Sequence, residues 1–167
     1  MSLTADRVNE LLEYNPDTGV FRWRVDRGGL AKAATKAGRP STSGHIEISV
    51  DGQRYRAHRL AWLICYGHWP DGPLDHANGA PADNRIANLR LASPSQNSAN
   101  TRVRCNSQTG VKNVVKHHNR FEARIRSNGK VHYLGLYKTL DEAAAVVKGK
   151  HAELFGEYTP DRERAGW

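Results

Sequence analysis

Pro73-Leu74-Asp75-His76, the polar run from Ala77 to Ala87 (ANGAPADNRIA), Asn88-Leu89-Arg90-Leu91-Ala92 and Ser93-Pro94-Ser95-Gln96-Asn97 form the stretch whose reading decides the fold. Two short runs separated by Gly, Pro, Asn and Asp read as two strands joined by a loop. Ser93 followed by Pro94 reads as a helix start. A hydroxyl there accepts from an amide of the first turn, and proline at the first helical position has no amide to leave unsatisfied. The expected order is strand, loop, strand, helix, with Asn97 one turn into the helix.

That order brings a carboxylate, an imidazole and two amides to the ends of one small unit. The oxygens of Asp75 and Asn97 are hard ligands that suit Mg²⁺ or a similar cation. The imidazole of His76 ordinarily titrates near neutrality and can take a proton from water. Metal plus base is the minimal equipment for hydrolysing a phosphodiester. Each residue alone is ordinary in turns and caps; the combination at this spacing is what points to catalysis.

Upstream, Thr4 can cap a helix over residues 4–13, with Val8, Leu11 and Leu12 on one face. Asn15-Pro16-Asp17-Thr18-Gly19 is a turn, and Val20 to Val25 alternates as a strand. Residues 26–43 are rich in Gly, Ala, Lys and Ser and read as a loop. His45 to Val50 and Gln53 to Ala57 form a hairpin about Asp51-Gly52. His58 to Tyr66 reads as a helix that ends before Gly67.

Downstream, residues 102–108 read as a linker. Strands are expected at 113–117, 120–127 and 130–137, with Asn128-Gly129 as a two-residue hairpin turn. Thr139 and Glu142 form a capping box for a helix to about Leu154. Phe121, Ala123 and Ile125 are expected to face a core. Alternation is expected to turn Lys116, Arg120, Arg124, Arg126, Lys130 and His132 outward.

The chain has 167 residues, 38% of them hydrophobic, and a net charge of +8. Residues 101–138 hold nine Lys and Arg against the one acidic residue Glu122, so the rest of the chain is balanced at 16 basic and 16 acidic residues. Such one-sided charge points to a polyanion, with nucleic acid ahead of a membrane surface because no basic amphipathic helix accompanies it. No run approaches the ~18 apolar residues of a membrane span. The N-terminus lacks a secretory pattern, so a cytoplasmic location is expected. Cys65 and Cys105 form no C-x-x-C pair and read as free thiols rather than zinc ligands. His58 reads as a structural histidine; His45, His68 and His151 have no partner pattern.

The residues Asp75-His76, Asn88-Leu89-Arg90 and Asn97 resemble the HNH nucleases with a ββα-metal site. Ala57-His58-Arg59-Leu60-Ala61-Trp62 and Gln96-Asn97-Ser98-Ala99-Asn100 are similar to the phage-type branch, which includes intron-encoded homing endonucleases. The resemblance spans roughly residues 5–101. It implies that His76 is the general base, that Asp75 and Asn97 hold one divalent cation, and that Asn88 pins the loop. It also implies 5′-phosphate and 3′-hydroxyl products and a bacterial or phage-infected host cell. Asn97 stands where the family name has histidine, which favours Mg²⁺ or Mn²⁺.

Thr109-Gly110-Val111-Lys112-Asn113-Val114, Phe121-Glu122-Ala123-Arg124-Ile125, Tyr133-Leu134-Gly135-Leu136-Tyr137, Glu142-Ala143-Ala144 and Phe155-Gly156-Glu157-Tyr158 resemble an APETALA2-type DNA-binding domain. That resemblance implies a sheet that enters the major groove. The full expectation is an α+β protein in four parts: a nuclease domain at 1–101, a linker at 102–108, a DNA-binding domain at 109–160 and a tail at 161–167. Arg59, Arg85, Arg102, Arg104 and Lys112 join the sheet residues as expected DNA contacts. The expected substrate is double-stranded DNA, cut by a monomer that nicks or a homodimer that breaks both strands. A DNA-binding protein without cleavage activity is the alternative.

Overall fold

Leu12 shows how local periodicity yields to pairing. Thr4 caps helix α1 (Ala5–Leu11) by accepting the Arg7 amide at 3.2 Å. The helix stops two residues before the expected 13, and Leu12–Asn15 becomes strand β1. Leu12 pairs with Trp23 of β2 (Val20–Trp23), and its side chain is fully buried. Leu11 and Leu12 satisfy a helical and an extended period alike, so the hairpin with β2 decides. The computed structural model describes residues 3–29, 31–160 and 166. The expected tail at 161–167 lies outside the described residues apart from Gly166.

The chain divides into two compact units, residues 1–91 and 92–167. The architecture of the described residues is α+β with small antiparallel sheets. In the first unit, β3 (Arg39–Pro40), β4 (Ile46–Val50) and β5 (Gln53–Arg56) form an antiparallel sheet in that order. The loop expected over 26–43 thus contains an edge strand, where Pro40 is tolerated because no inner ladder bond is lost. Helix α2 (Ala57–Tyr66) follows at once and ends on Gly67, whose φ of 77° closes it. Its buried face, including Leu60, Ala61 and Leu63, packs in one core with Val8, Leu12, Phe21, Ile48 and Val50. Strands β6 (Leu74–His76) and β7 (Leu89–Leu91) pair antiparallel, with a 3₁₀ turn at Ile86–Asn88 between them.

The β6–β7 loop is held by the β1–β2 hairpin. The Tyr14 hydroxyl donates to the Asn84 carbonyl at 2.7 Å, and the Ile86 amide donates to the Pro16 carbonyl at 3.2 Å. Gly19 has φ +69°, and a Cβ there would lie 2.5 Å from the Arg85 nitrogen. The turn therefore needs glycine both for its backbone and for this approach.

The second unit begins with helix α3 (Pro94–Ala99), whose capping box joins Ser93 and Gln96. Three strands follow, β8 (Val114–His117), β9 (Arg120–Ser127) and β10 (Lys130–Tyr137), ordered β10-β9-β8. Helix α4 (Leu140–Phe155) is opened by the Thr139–Glu142 capping box. Its Ala143, Ala144, Val147 and Phe155 share a core with Ala123 and Ile125 of β9. By its contacts α3 groups with this second unit.

Candidate active site

Asp75 and His76 sit on β6 and are 4% and 6% exposed. The β6–β7 register sets Asp75 opposite Arg90 and His76 opposite Leu89. Arg90 donates from Nε and Nη2 to Asp75 Oδ2 at 3.0 and 2.9 Å. This pairing follows from strand register and was not foreseen from the sequence.

Asn88 works on the loop. Its Oδ1 accepts the Asn78 amide at 3.0 Å, and its Nδ2 donates to the Asp83 carbonyl at 2.9 Å. Asp83 in turn accepts from Asn78 Nδ2 and holds Arg85 through two nitrogens, Nε at 2.8 Å and Nη2 at 2.6 Å. The Arg85 hydrogen bonds pull the Asp83 carboxyl down to about 2. Arg85 is exposed, and its charge is shared with this carboxylate. The Arg59 guanidinium stacks over the Trp69 ring at 5.7 Å.

Two further histidines surround His76, one from the residue before β4 and one from α2. Ring centroids are 5.0 Å apart for His58–His76, 5.6 Å for His45–His76 and 5.3 Å for His45–His58. Burial is the first cause that lowers the His76 pKa from its ordinary value, aided by His45. The Asn84 side chain, Asp75 and Asp83 oppose it. Burial, together with His76 and His45, pushes His58 down to about 3. Burial and then Arg56 lower His45. The cluster is therefore built to hold neutral rings, because a charged imidazole is poorly solvated there. Sequence reading passed over His45, and no local pattern links it to residues 58 and 76.

Asn97 lies on α3, half-buried, in the second unit, whereas Asp75, His76 and Asn88 lie in the first. Also in the second unit, the register corrects the expected outward face of the sheet. Pairs His117↔Arg120 and Ser127↔Lys130 couple odd with even residues across each two-residue turn. Lys116, His132 and Lys130 therefore lie opposite Phe121, Ile125 and Ser127, on the side of the buried Ile125. The other face carries Arg120, Arg124 and Arg126 with Val115, Val131 and Tyr133. Val131 and Tyr133 there are 54% and 64% exposed. Each two-residue turn reverses parity, so even positions do not share a face across the three strands.

Arg102 and Arg104 join Arg124 and Arg126 in lining an open cleft of about 640 Å³. Lys112 also reaches this cleft, but its ammonium is engaged. Nζ donates to the carbonyls of Ser98, Ala99 and Thr101 at 3.0, 2.7 and 2.6 Å. It closes the C-terminal end of α3, where unpaired carbonyls attract a cation.

Comparison with known proteins bears on the first unit most directly. Residues 55–99 match the HNH endonuclease family. The chain is 34% identical over 113 residues to an uncharacterized HNH endonuclease of Acanthamoeba polyphaga mimivirus, covering 66% of this chain and 59% of that relative. It is 28% identical over 106 residues to Protein 3.8 of Escherichia phage T7, covering 62% of this chain and 87% of that relative. No solved structure matches the chain significantly. Among the described residues, no helix is long and apolar enough to cross a membrane. The segment that matches the HNH endonuclease family holds α2, β6, β7 and α3, and with them His58, Asp75, His76, Asn88 and Asn97.

Proposed function

We propose that the chain is a divalent-metal-dependent endonuclease acting on duplex DNA, with His76 as the base that activates water. The observation that carries this reading is the neutral-favouring burial of His76 beside Asp75 at the end of β6, inside the segment that matches the HNH endonuclease family. A general base must be unprotonated at working pH, and the lowered pKa of His76 keeps it so.

The donor chemistry suits a hard cation. Asp75 and Asn97 supply oxygens of the type preferred by Mg²⁺ and Mn²⁺. Arg90 orients the Asp75 carboxylate, as hydrogen-bonded partners do for carboxylate ligands. One such ion, when bound, neutralises charge on the phosphate and the leaving 3′ oxygen. His76 accepts a proton from water, whose oxygen attacks phosphorus in line. The P–O3′ bond breaks, leaving a 5′-phosphate, and the departing 3′ oxygen takes a proton from solvent water to become a 3′-hydroxyl. Asn88 holds the loop behind the base and takes no part in the bond changes.

The second unit supplies DNA binding and site preference. Arg124 and Arg126 on the exposed sheet face, with Arg102 and Arg104 beside them, suit phosphates and guanine edges. This agrees with an APETALA2-like use of the sheet. Arg120 extends that face, and Lys116, Lys130 and His132 are available along the opposite face near the strand ends. One active site cuts one strand per event, so a monomer nicks and a homodimer breaks both strands. Supercoiled plasmid incubated with protein and Mg²⁺, with and without EDTA, tests the reading. Nicked circles or linear DNA that appear only without EDTA support it; intact plasmid with retained binding supports a DNA-binding protein instead.

A further inference from the structure

His45, His58 and His76 reach one point from three elements. His45 precedes β4, His58 is the second residue of α2, and His76 ends β6. Each offers one ring nitrogen, and the three nitrogens lie within 4.8 Å of one another. His58 and His76 are buried and His45 is partly so. Buried polar atoms normally have partners. Nδ1 of His58 has no hydrogen-bond partner among the described residues.

Three converging imidazoles suit a borderline transition ion better than a hard one. Zinc binds imidazole nitrogen at about 2.0–2.1 Å, which sets neighbouring nitrogens of a tetrahedral site ~3.4 Å apart. Each ring would move inward by less than about 1 Å to reach that spacing. A partner that steadies one such ring is already in place. Ser43 Oγ lies 3.0 Å from His45 Nδ1. Metal-bound histidines are held through their second nitrogen in this way.

We propose that His45, His58 and His76 form a site for a borderline transition ion such as Zn²⁺, and that filling this site silences the nuclease. The silencing rests on the reading of His76 as base. An imidazole bound to a metal through one nitrogen carries its proton on the other, so no lone pair is left to take a proton from water. Mg²⁺, which prefers oxygen ligands, does not compete at three nitrogens. The chain thus holds a borderline-ion site that shares one residue with its hard-ion chemistry.

Titration of the metal-free, full-length protein with Co²⁺ tests the site without reference to activity. One equivalent is expected to raise a visible absorption band that Zn²⁺ abolishes. His45→Gln and His58→Gln are expected to lose that band, while His68→Gln, an exposed imidazole of the same unit, keeps it. His45 is only partly buried, so its variant carries the test if His58→Gln fails to fold. Absence of the band in the wild type, or a wild-type band in folded His45→Gln, overturns the site. In the plasmid assay at fixed Mg²⁺, micromolar Zn²⁺ is expected to stop cutting by the wild type. His45→Gln should need at least tenfold more Zn²⁺, measured against its own zinc-free rate. Zinc that binds without slowing the wild type overturns the silencing. If no protein cuts with Mg²⁺, the reading of His76 as base fails, and the cobalt band still decides the site.

Discussion

Arg90 holds Asp75 across the β6–β7 ladder, with Nε and Nη2 both on Oδ2 at 3.0 and 2.9 Å. The two side chains are 19% and 5% exposed, so the pair is screened little by solvent. Replacing Arg90 by Met removes this charged partner from a buried carboxylate. We expect a loss of about 3 kcal/mol of stability, because breaking a buried pair exposes the desolvation cost of the remaining charge. Urea denaturation measures it; a midpoint equal to wild type would show that the pair is not structural.

His76→Ala is expected to lower Mg²⁺-dependent cutting by about 10²–10⁴-fold, the usual contribution of a positioned base. DNA affinity should be unchanged. Because burial lowers the His76 pKa, the acid limb of the wild-type rate profile should have its midpoint below the ordinary 6.5. Single-turnover rates across pH check this. A midpoint at or above 7 contradicts the assignment of His76 to that limb.

His58 links stability to pH. Its pKa is about 3 in the folded chain against 6.5 ordinarily. Below pH 6.5 the unfolded chain takes up a proton that the folded chain refuses. Stability is therefore full above 6.5 and falls as the pH drops toward 3, by up to about 1.4 kcal/mol per pH unit for this one group. His58→Gln should flatten the slope between pH 6.5 and 5, above the range where most carboxylates titrate. Urea midpoints at a series of pH values report it, and equal slopes for both proteins would refute it.

Arg124, Arg126 and Lys112 separate binding from scaffolding in the basic segment. Arg124→Ala with Arg126→Ala should weaken duplex binding and reduce the slope of log affinity against log salt by about 0.9 for each phosphate that is no longer neutralised. Lys112→Met should leave that slope nearly unchanged. It should destabilise the second unit instead, since Nζ serves the carbonyls of Ser98, Ala99 and Thr101. Fluorescence anisotropy at several salt concentrations distinguishes the two. A full-size fall in salt slope for Lys112→Met would return that ammonium to the DNA.

The most local features of the chain were legible in its residues. Asn128-Gly129 sets the β9–β10 hairpin, Thr139 with Glu142 opens α4, and Ser93 with Pro94 opens α3. Each depends on atoms within a few residues of one another, so the sequence determines it without knowledge of the rest. The strand–loop–strand–helix order of β6, β7 and α3 was legible as well, from the turn-forming run between the strands and the Ser93-Pro94 helix start. Other features needed the tertiary structure. Leu12 joined a strand because Trp23 was there to pair with it. The outward face of the sheet depended on hairpin register, which reverses residue parity between strands. Lys112 turned to α3, Arg90 met Asp75 across a ladder, and His45 reached His58 and His76 from a separate element. Such contacts join residues far apart in the chain. Their distances are set by which surfaces the core buries together, and composition and spacing carry no record of that choice.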